Sequence, residues 1–122
     1  MSGDNYTTIS MVKEVAKDFC EVREWDQYHD AKELAISIVV ESSELLELFR
    51  FRNKEEMREM FASPVIRERI CDEMADVLFA LARFAQLYNV DLATEFRRKM
   101  AKNEERYPVD LARGSNRKYT EF

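Results

Sequence analysis

The sequence predicts an all-α protein, a four-helix bundle completed by further copies of the same chain. Apolar residues recur at spacings of three and four through most of its length. No strand-like alternation persists anywhere. The 122 residues include two glycines and two prolines, too few for many tight turns. That length suits a single domain, residues 1–122, ending in a polar tail over 109–122. A chain this short buries a modest core, which a shared subunit interface would enlarge.

The first helix is predicted over roughly Thr8 to Arg23, from the stripe Ile9, Val12, Val15 with Ala16, Phe19 and Val22. "EWDQYHD" mixes polar and aromatic residues and reads as a connecting loop. A second helix is predicted from Ala31 to Arg52, with the inward stripe Leu34, Ile38, Glu41, Leu45 and Leu48. "NKEEMREMFASP" reads as a short surface helix or loop ended at Ser63-Pro64. The third long helix is predicted over Val65 to Tyr88, with Ile70, Met74, Val77, Leu81, Phe84 and Tyr88 inward. Asp91 has the chemistry of an N-cap for a fourth, Leu92 to Tyr107, which Pro108 ends.

Composition excludes several classes of function. A net charge of −5 disfavours nucleic-acid polymers as partners. The longest apolar runs, such as "VLFALA", are far too short to cross a bilayer. The first twenty residues contain no apolar h-region, so no signal peptide is expected. Cys20 and Cys71 lack metal or redox spacing and read as reduced thiols of a cytoplasmic protein.

The acids are the anomaly. Glu41 occupies a position where the stripe of the second helix asks for an apolar residue, and Glu44 follows three residues later. Glu73 and Asp76 repeat that spacing beside the stripe of the third helix. Residues three apart lie about 60° apart around a helix axis, so both side chains can converge on one point. One such pair is ordinary on a helix edge, but two pairs on two apolar helices are not. Buried carboxylates must be protonated, paired with bases or neutralised by metal. Four oxygen donors, with no Cys or His nearby, favour Mg²⁺, with Mn²⁺ as a substitute. A di-iron bundle would require Glu-x-x-His motifs, and the single histidine, His29, precedes the second helix.

On the last long helix, Lys99, Asn103 and Arg106 are spaced by four and three and share a face. Two cations and an amide suit the oxygens of a polyphosphate. A basic terminal helix ordinarily only complements its own dipole, so this role depends on the acids holding metal.

"VVESSELLELF", "DEMADVLFALA", "KMAKNEERYP" and "ARGSNRKYTEF" together resemble the MazG-type all-α nucleotide pyrophosphohydrolases, and most of all their small dCTP pyrophosphatase branch. The resemblance extends from about Phe19 to the tail. It implies a MazG-like bundle and a Mg²⁺-dependent enzyme that splits a (deoxy)nucleoside triphosphate into monophosphate and pyrophosphate, with nucleotide-pool cleansing as its role. It assigns metal binding and catalysis to Glu41, Glu44, Glu73 and Asp76, and phosphate contact to Lys99 and Asn103. It lays Trp25, Asp26, Gln27, Tyr28 and His29 over the nucleoside, and implies a homo-oligomer, dimer or tetramer.

The chain departs from that pattern in the base pocket. Ala16 stands where a histidine is usual, Ala80 replaces a tyrosine and Phe51 a tryptophan. These changes enlarge or depolarise the pocket and loosen the expectation for cytosine.

On this reading metal ions would neutralise the phosphates and acidify the attacking water, Glu41 or Glu44 would take its proton, and Lys99 and Arg106 would stabilise the leaving pyrophosphate. Glu47, one turn further along, is expected to support the acids. The rival reading is a non-catalytic helical interaction module, in which the acids form a structural network with Arg67, Arg69 and Arg83.

Overall fold

The computed structural model describes residues 3–122, and the described residues form helices and turns with no strand. The chain divides into two compact units, Met1–Asn89 and Val90–Phe122. The first unit contains α1 (Ile9–Val22), α2 (Ala31–Phe49), α3 (Lys54–Ala62) and α4 (Pro64–Leu87). The second contains α5 (Leu92–Arg106) and the single turn α6 (Val109–Ala112).

Capping chemistry sets the helix starts. The side chains of Thr8, Asp30, Asn53, Ser63 and Asp91 each accept the backbone N–H three residues on, removing one orphan donor per helix. Ser63 also closes α3, and Pro64 occupies the first position of α4, where its missing N–H costs nothing. The Ser63-Pro64 pair is therefore both a stop and a start.

The second helix ends earlier than its periodicity suggests, at Phe49 rather than Arg52. Arg50 turns extended and Phe51 adopts a left-handed backbone, φ 66°, so the 3.6-residue pattern outruns the helix. The predicted loop at "EWDQYHD" contains a 3₁₀ turn over Asp26–Tyr28.

Within the first unit, α1, α2 and α3 each pack on α4. The predicted stripe of α2 is the one turned inward, with Leu34 buried and Ile38, Glu41, Leu45 and Leu48 half-buried. Two other stripes need correction. On α1 the buried residues are Ala16 and Cys20, while Val15 and Val22 stand exposed. On α4 they are Ile70, Ala80, Ala82, Arg83 and Ala85, while Met74, Leu81 and Tyr88 are exposed. Small residues line the seam because α4 is approached by several helices, and a larger side chain there would hold them apart.

The end of α1 aims the chain at α4. Trp25 N–H reaches the carbonyl of Cys20 at 3.0 Å and Glu24 N–H that of Glu21 at 2.9 Å, a Schellman closure with Glu24 left-handed at φ 55°. The Trp25 ring then meets Phe19 edge-on, and Phe19 meets Phe79 of α4 in the same way, each at 5.6 Å between centroids.

Arg83 is 1% exposed. Its guanidinium donates to Asp26, to Gln86 Oε1 and, at 3.1 Å, to His29 Nδ1. This guanidinium ties the 26–29 turn to α4.

In the second unit, the expected polar tail folds on itself. Tyr107 meets Tyr119 and Phe122 edge-on, each at 5.8 Å, and the Arg106 guanidinium lies 4.6 Å over the Tyr119 ring.

The two sides of the Arg83–Asp26 pair are unequal, because the Asp26 side chain is 51% exposed. Asp26→Ala leaves a buried cation without counter-charge and is expected to cost about 3 kcal/mol. Arg83→Met lets Asp26 return to water and is expected to cost less, about 1–2 kcal/mol. Urea denaturation of the two variants checks this order.

Candidate metal and nucleotide site

Glu41 comes from the inward face of α2 and Glu44 from its exposed border, and on α4 Glu73 is half-buried and Asp76 exposed. One carboxylate oxygen from each of Glu41, Glu73 and Asp76 lies within 4.8 Å of the others. Glu44 lies outside that tightest set, yet it bears on both Glu41 and Glu73 by charge and hydrogen bonding. The four acids that the sequence singled out are thus brought together.

Their electrostatics are unfavourable. Desolvation raises the Glu41 carboxyl above its ordinary 4.5, and hydrogen bonding to Glu44 with the charges of Glu44, Asp76 and Glu73 raises it further. Glu73 is raised in the same way, by desolvation first and then by Glu44, Asp76 and Asp72. Glu41 Oε2 and Glu73 Oε2 are buried with no hydrogen-bond partner. A buried anionic oxygen without a donor calls for a proton or a cation. An all-oxygen donor set with two such orphans fits a hard divalent cation.

The acid–arginine network of the rival reading is not formed. Among the described residues, none of the four acids is in an ion pair with Arg67, Arg69 or Arg83. Arg83 lies seven positions beyond Asp76, two turns along α4, and is committed to Asp26 and His29. Glu47 faces solvent and pairs with Arg50 at 3.6 Å, so its support of the acids is not seen either.

Beside the acids is a cavity of about 180 Å³ lined by His29, Leu34, Ser37, Glu41, Asp76, Phe79 and Ala80. Its lining combines the acids Glu41 and Asp76 with the apolar Leu34, Phe79 and Ala80. Of the expected nucleoside residues, His29 and Ala80 lie on this cavity. Burial and the nearby Arg83 cation hold the His29 imidazole below its ordinary 6.5, against an opposing pull from Asp26.

The other expected nucleoside residues lie elsewhere. Ala16 lines a separate apolar groove of about 390 Å³ with Met11, Val12, Val15, Ala75, Leu78 and Phe79. Trp25 packs on Phe19 and remains 39% exposed. Gln27 Nε2 donates to the Glu24 carbonyl at 3.0 Å, and Tyr28 is exposed. Phe51 is 89% exposed, with the Arg50 guanidinium 4.6 Å over its ring.

Lys99, Asn103 and Arg106 belong to α5 in the second unit. Lys99 is exposed, whereas Asn103 and Arg106 are half-buried. Asn103 Nδ2 approaches Met100 Sδ at 3.8 Å.

Sequence reasoning missed Ser37 and Phe79 as cavity walls and paired Arg83 with the wrong acids. The available signal was an arginine set among alanines in "ALARFA", a place where only a satisfied cation can be buried.

The MazG-like family matches residues 36–122, which include all four acids. The human protein dCTP pyrophosphatase 1 is 37% identical over 115 residues, spanning 94% of this chain and 68% of that protein. The Mus musculus protein of the same name is 35% identical over the same shares. The crystal structure of a pyrophosphatase from Archaeoglobus fulgidus is similar at a TM-score of 0.76 and 30% identity, covering 88% of this chain and 99% of that one. With the paired acids of α2 and α4 inside the matched region, and with a solved pyrophosphatase sharing the fold, the chain belongs to the MazG-like family.

Proposed function

We propose that the protein is a Mg²⁺-dependent nucleoside triphosphate pyrophosphohydrolase that releases a monophosphate and pyrophosphate. The observation that carries this reading is the cluster of Glu41, Glu73 and Asp76, with Glu44 beside it and two buried oxygens lacking any donor. The names of the relatives supply the reaction class.

These four side chains would hold the cation, with Mn²⁺ as a substitute. When bound, the cation supplies neutralisation of the triphosphate charge and acidification of the attacking water. Glu41 or Glu44 is the proposed acceptor of that water's proton, since a carboxylate beside the bound cation is within reach to serve as general base. Lys99, Asn103 and Arg106 are proposed to hold the phosphate oxygens, with the two cations stabilising the departing pyrophosphate. Trp25, Asp26, Gln27, Tyr28, His29, Phe51, Ala80 and Ala16 are proposed to form the nucleoside surround. All these parts belong to a single functional domain over residues 1–122, in a cytoplasmic protein that cleanses the nucleotide pool.

The raised carboxyls give a pH dependence with a definite sign. Glu41 and Glu73 bind protons more tightly folded than unfolded. Their contribution to stability is complete below about pH 4.5 and is lost as pH rises through the raised values. A bound cation removes that repulsion. The melting-temperature gain from MgCl₂ is therefore expected to grow as pH rises through this window. Glu44→Gln is expected to weaken that gain and to lower turnover by on the order of a hundredfold, while the metal-free variant melts no lower than wild type. A magnesium gain independent of pH, or near-normal turnover in Glu44→Gln, rejects the assignment.

Chromatography of products from a panel of triphosphates is expected to give monophosphate and pyrophosphate, with more than one base accepted because Ala80, on the cavity wall, is small. A diphosphate with free phosphate, or activity confined to unmodified dCTP, would count against it.

Exposed apolar residues on α1, α2 and α4, among them Val15, Val22, Val39, Leu46 and Met74, support a homo-oligomer, dimer or tetramer. Light scattering is expected to return a whole multiple of 14.5 kDa greater than one.

A further inference from the structure

Arg83 is the one charged residue in the buried set among the described residues, and it has no part in the reaction as drawn above. Its Nε donates to His29 Nδ1 across 54 positions of sequence. An arginine side chain keeps its protons throughout the physiological range and offers no acceptor. Nδ1 must therefore present its lone pair, and the proton of the neutral ring resides on Nε2. That ring lines the 180 Å³ cavity shared with Glu41, Asp76 and Ala80. The lining also includes the apolar residues Leu34 and Phe79. A flat ring or a sugar with one oxygen acceptor suits these surroundings better than a bare phosphate would, because Glu41 and Asp76 repel anions.

We propose that Arg83 is a positioning residue that fixes the tautomer of His29, so that His29 offers its Nε2–H to an oxygen acceptor on the nucleoside part of the bound triphosphate. The Asp26 and Gln86 side chains complete the guanidinium's acceptors and hold it against rotation. The 26–29 turn then contributes a donor of set direction rather than a ring free to present either nitrogen. This proposal rests on the pyrophosphohydrolase reading.

Because His29 is the only histidine, its imidazole gives a single set of signals in a ¹H–¹⁵N spectrum of the full chain. The wild type is expected to show Nε2 protonated and Nδ1 bare, with Nε2–H shifting when MgCl₂ and a non-hydrolysable triphosphate are added. Arg83→Met is expected to draw the two nitrogen signals towards each other as the tautomers mix. A protonated Nδ1 in the wild type, or an unchanged spectrum in Arg83→Met, overturns the proposal.

Two histidine variants keep the test open should Arg83→Met fail to fold. His29→Asn retains an acceptor near the place of Nδ1 and loses the outer donor. It is expected to melt close to wild type with KM raised roughly tenfold, the cost of one hydrogen bond, and most of the loss in KM rather than kcat. His29→Gln retains a donor near the place of Nε2 and loses the Arg83 contact, so it is expected to melt lower with KM nearer to wild type. An unchanged KM in His29→Asn overturns the proposal while leaving the enzyme reading intact.

The bases in the panel separate the two possible acceptors. A penalty that vanishes with dATP, whose base has no carbonyl, identifies a base oxygen, and one that is constant across bases identifies the sugar. A wild type inactive on every triphosphate defeats the pyrophosphohydrolase reading instead, and the imidazole spectrum still tests the Arg83 contact.

Discussion

Carboxylate repulsion between α2 and α4 is the constraint to which the first unit is fitted. Two helices that point acids at each other would separate unless something else held them together. That role falls to the apolar residues on either side of the acids, Leu34 and Ile38 before them and Leu45 and Leu48 after them, on a helix packed against α4, whose own buried residues include Ile70 and Ala80. Burial of these side chains keeps the acids together at a cost visible in the raised Glu41 and Glu73 carboxyls. The helices supply the rigidity that a loop-borne site would lack.

A second polar assembly lies two turns along α4. Arg83 satisfies its buried guanidinium through Asp26 and His29, both in the 26–29 turn. The same helix therefore presents uncompensated anions at one level and a fully compensated cation at another. The first arrangement asks for a ligand, and the second fixes geometry. Ala80 and Phe79 lie between them on the cavity wall.

The inward face of α2, Glu41 included, was legible because a helix writes its buried face into the sequence with a period of 3.6 residues. The cap at Asp91 and the stop at Ser63-Pro64 were legible because their chemistry is local. The stripe of α4 was misread at Met74, Leu81 and Tyr88, since a helix approached from several sides is apolar around much of its circumference and period alone does not say which apolar residue is covered. The Arg83–Asp26 pair has no local signature, its partners lying 57 positions apart. The folding of the tail on Tyr107 depends on aromatic contacts between residues that no period relates.

The double duty of Ser63 has a mechanical consequence. One residue closes α3 and opens α4, so the joint contains no position free of a capping role. A hinge needs a residue whose dihedrals can change without cost, and any rotation here would strip a cap from one helix or the other, about 1 kcal/mol for each. The α3–α4 corner therefore behaves as an elbow welded at a set angle. The stacked rings of Phe49 and Phe61, 6.0 Å apart, brace it from the side of α2. Whatever bends in this unit when a ligand arrives must bend elsewhere.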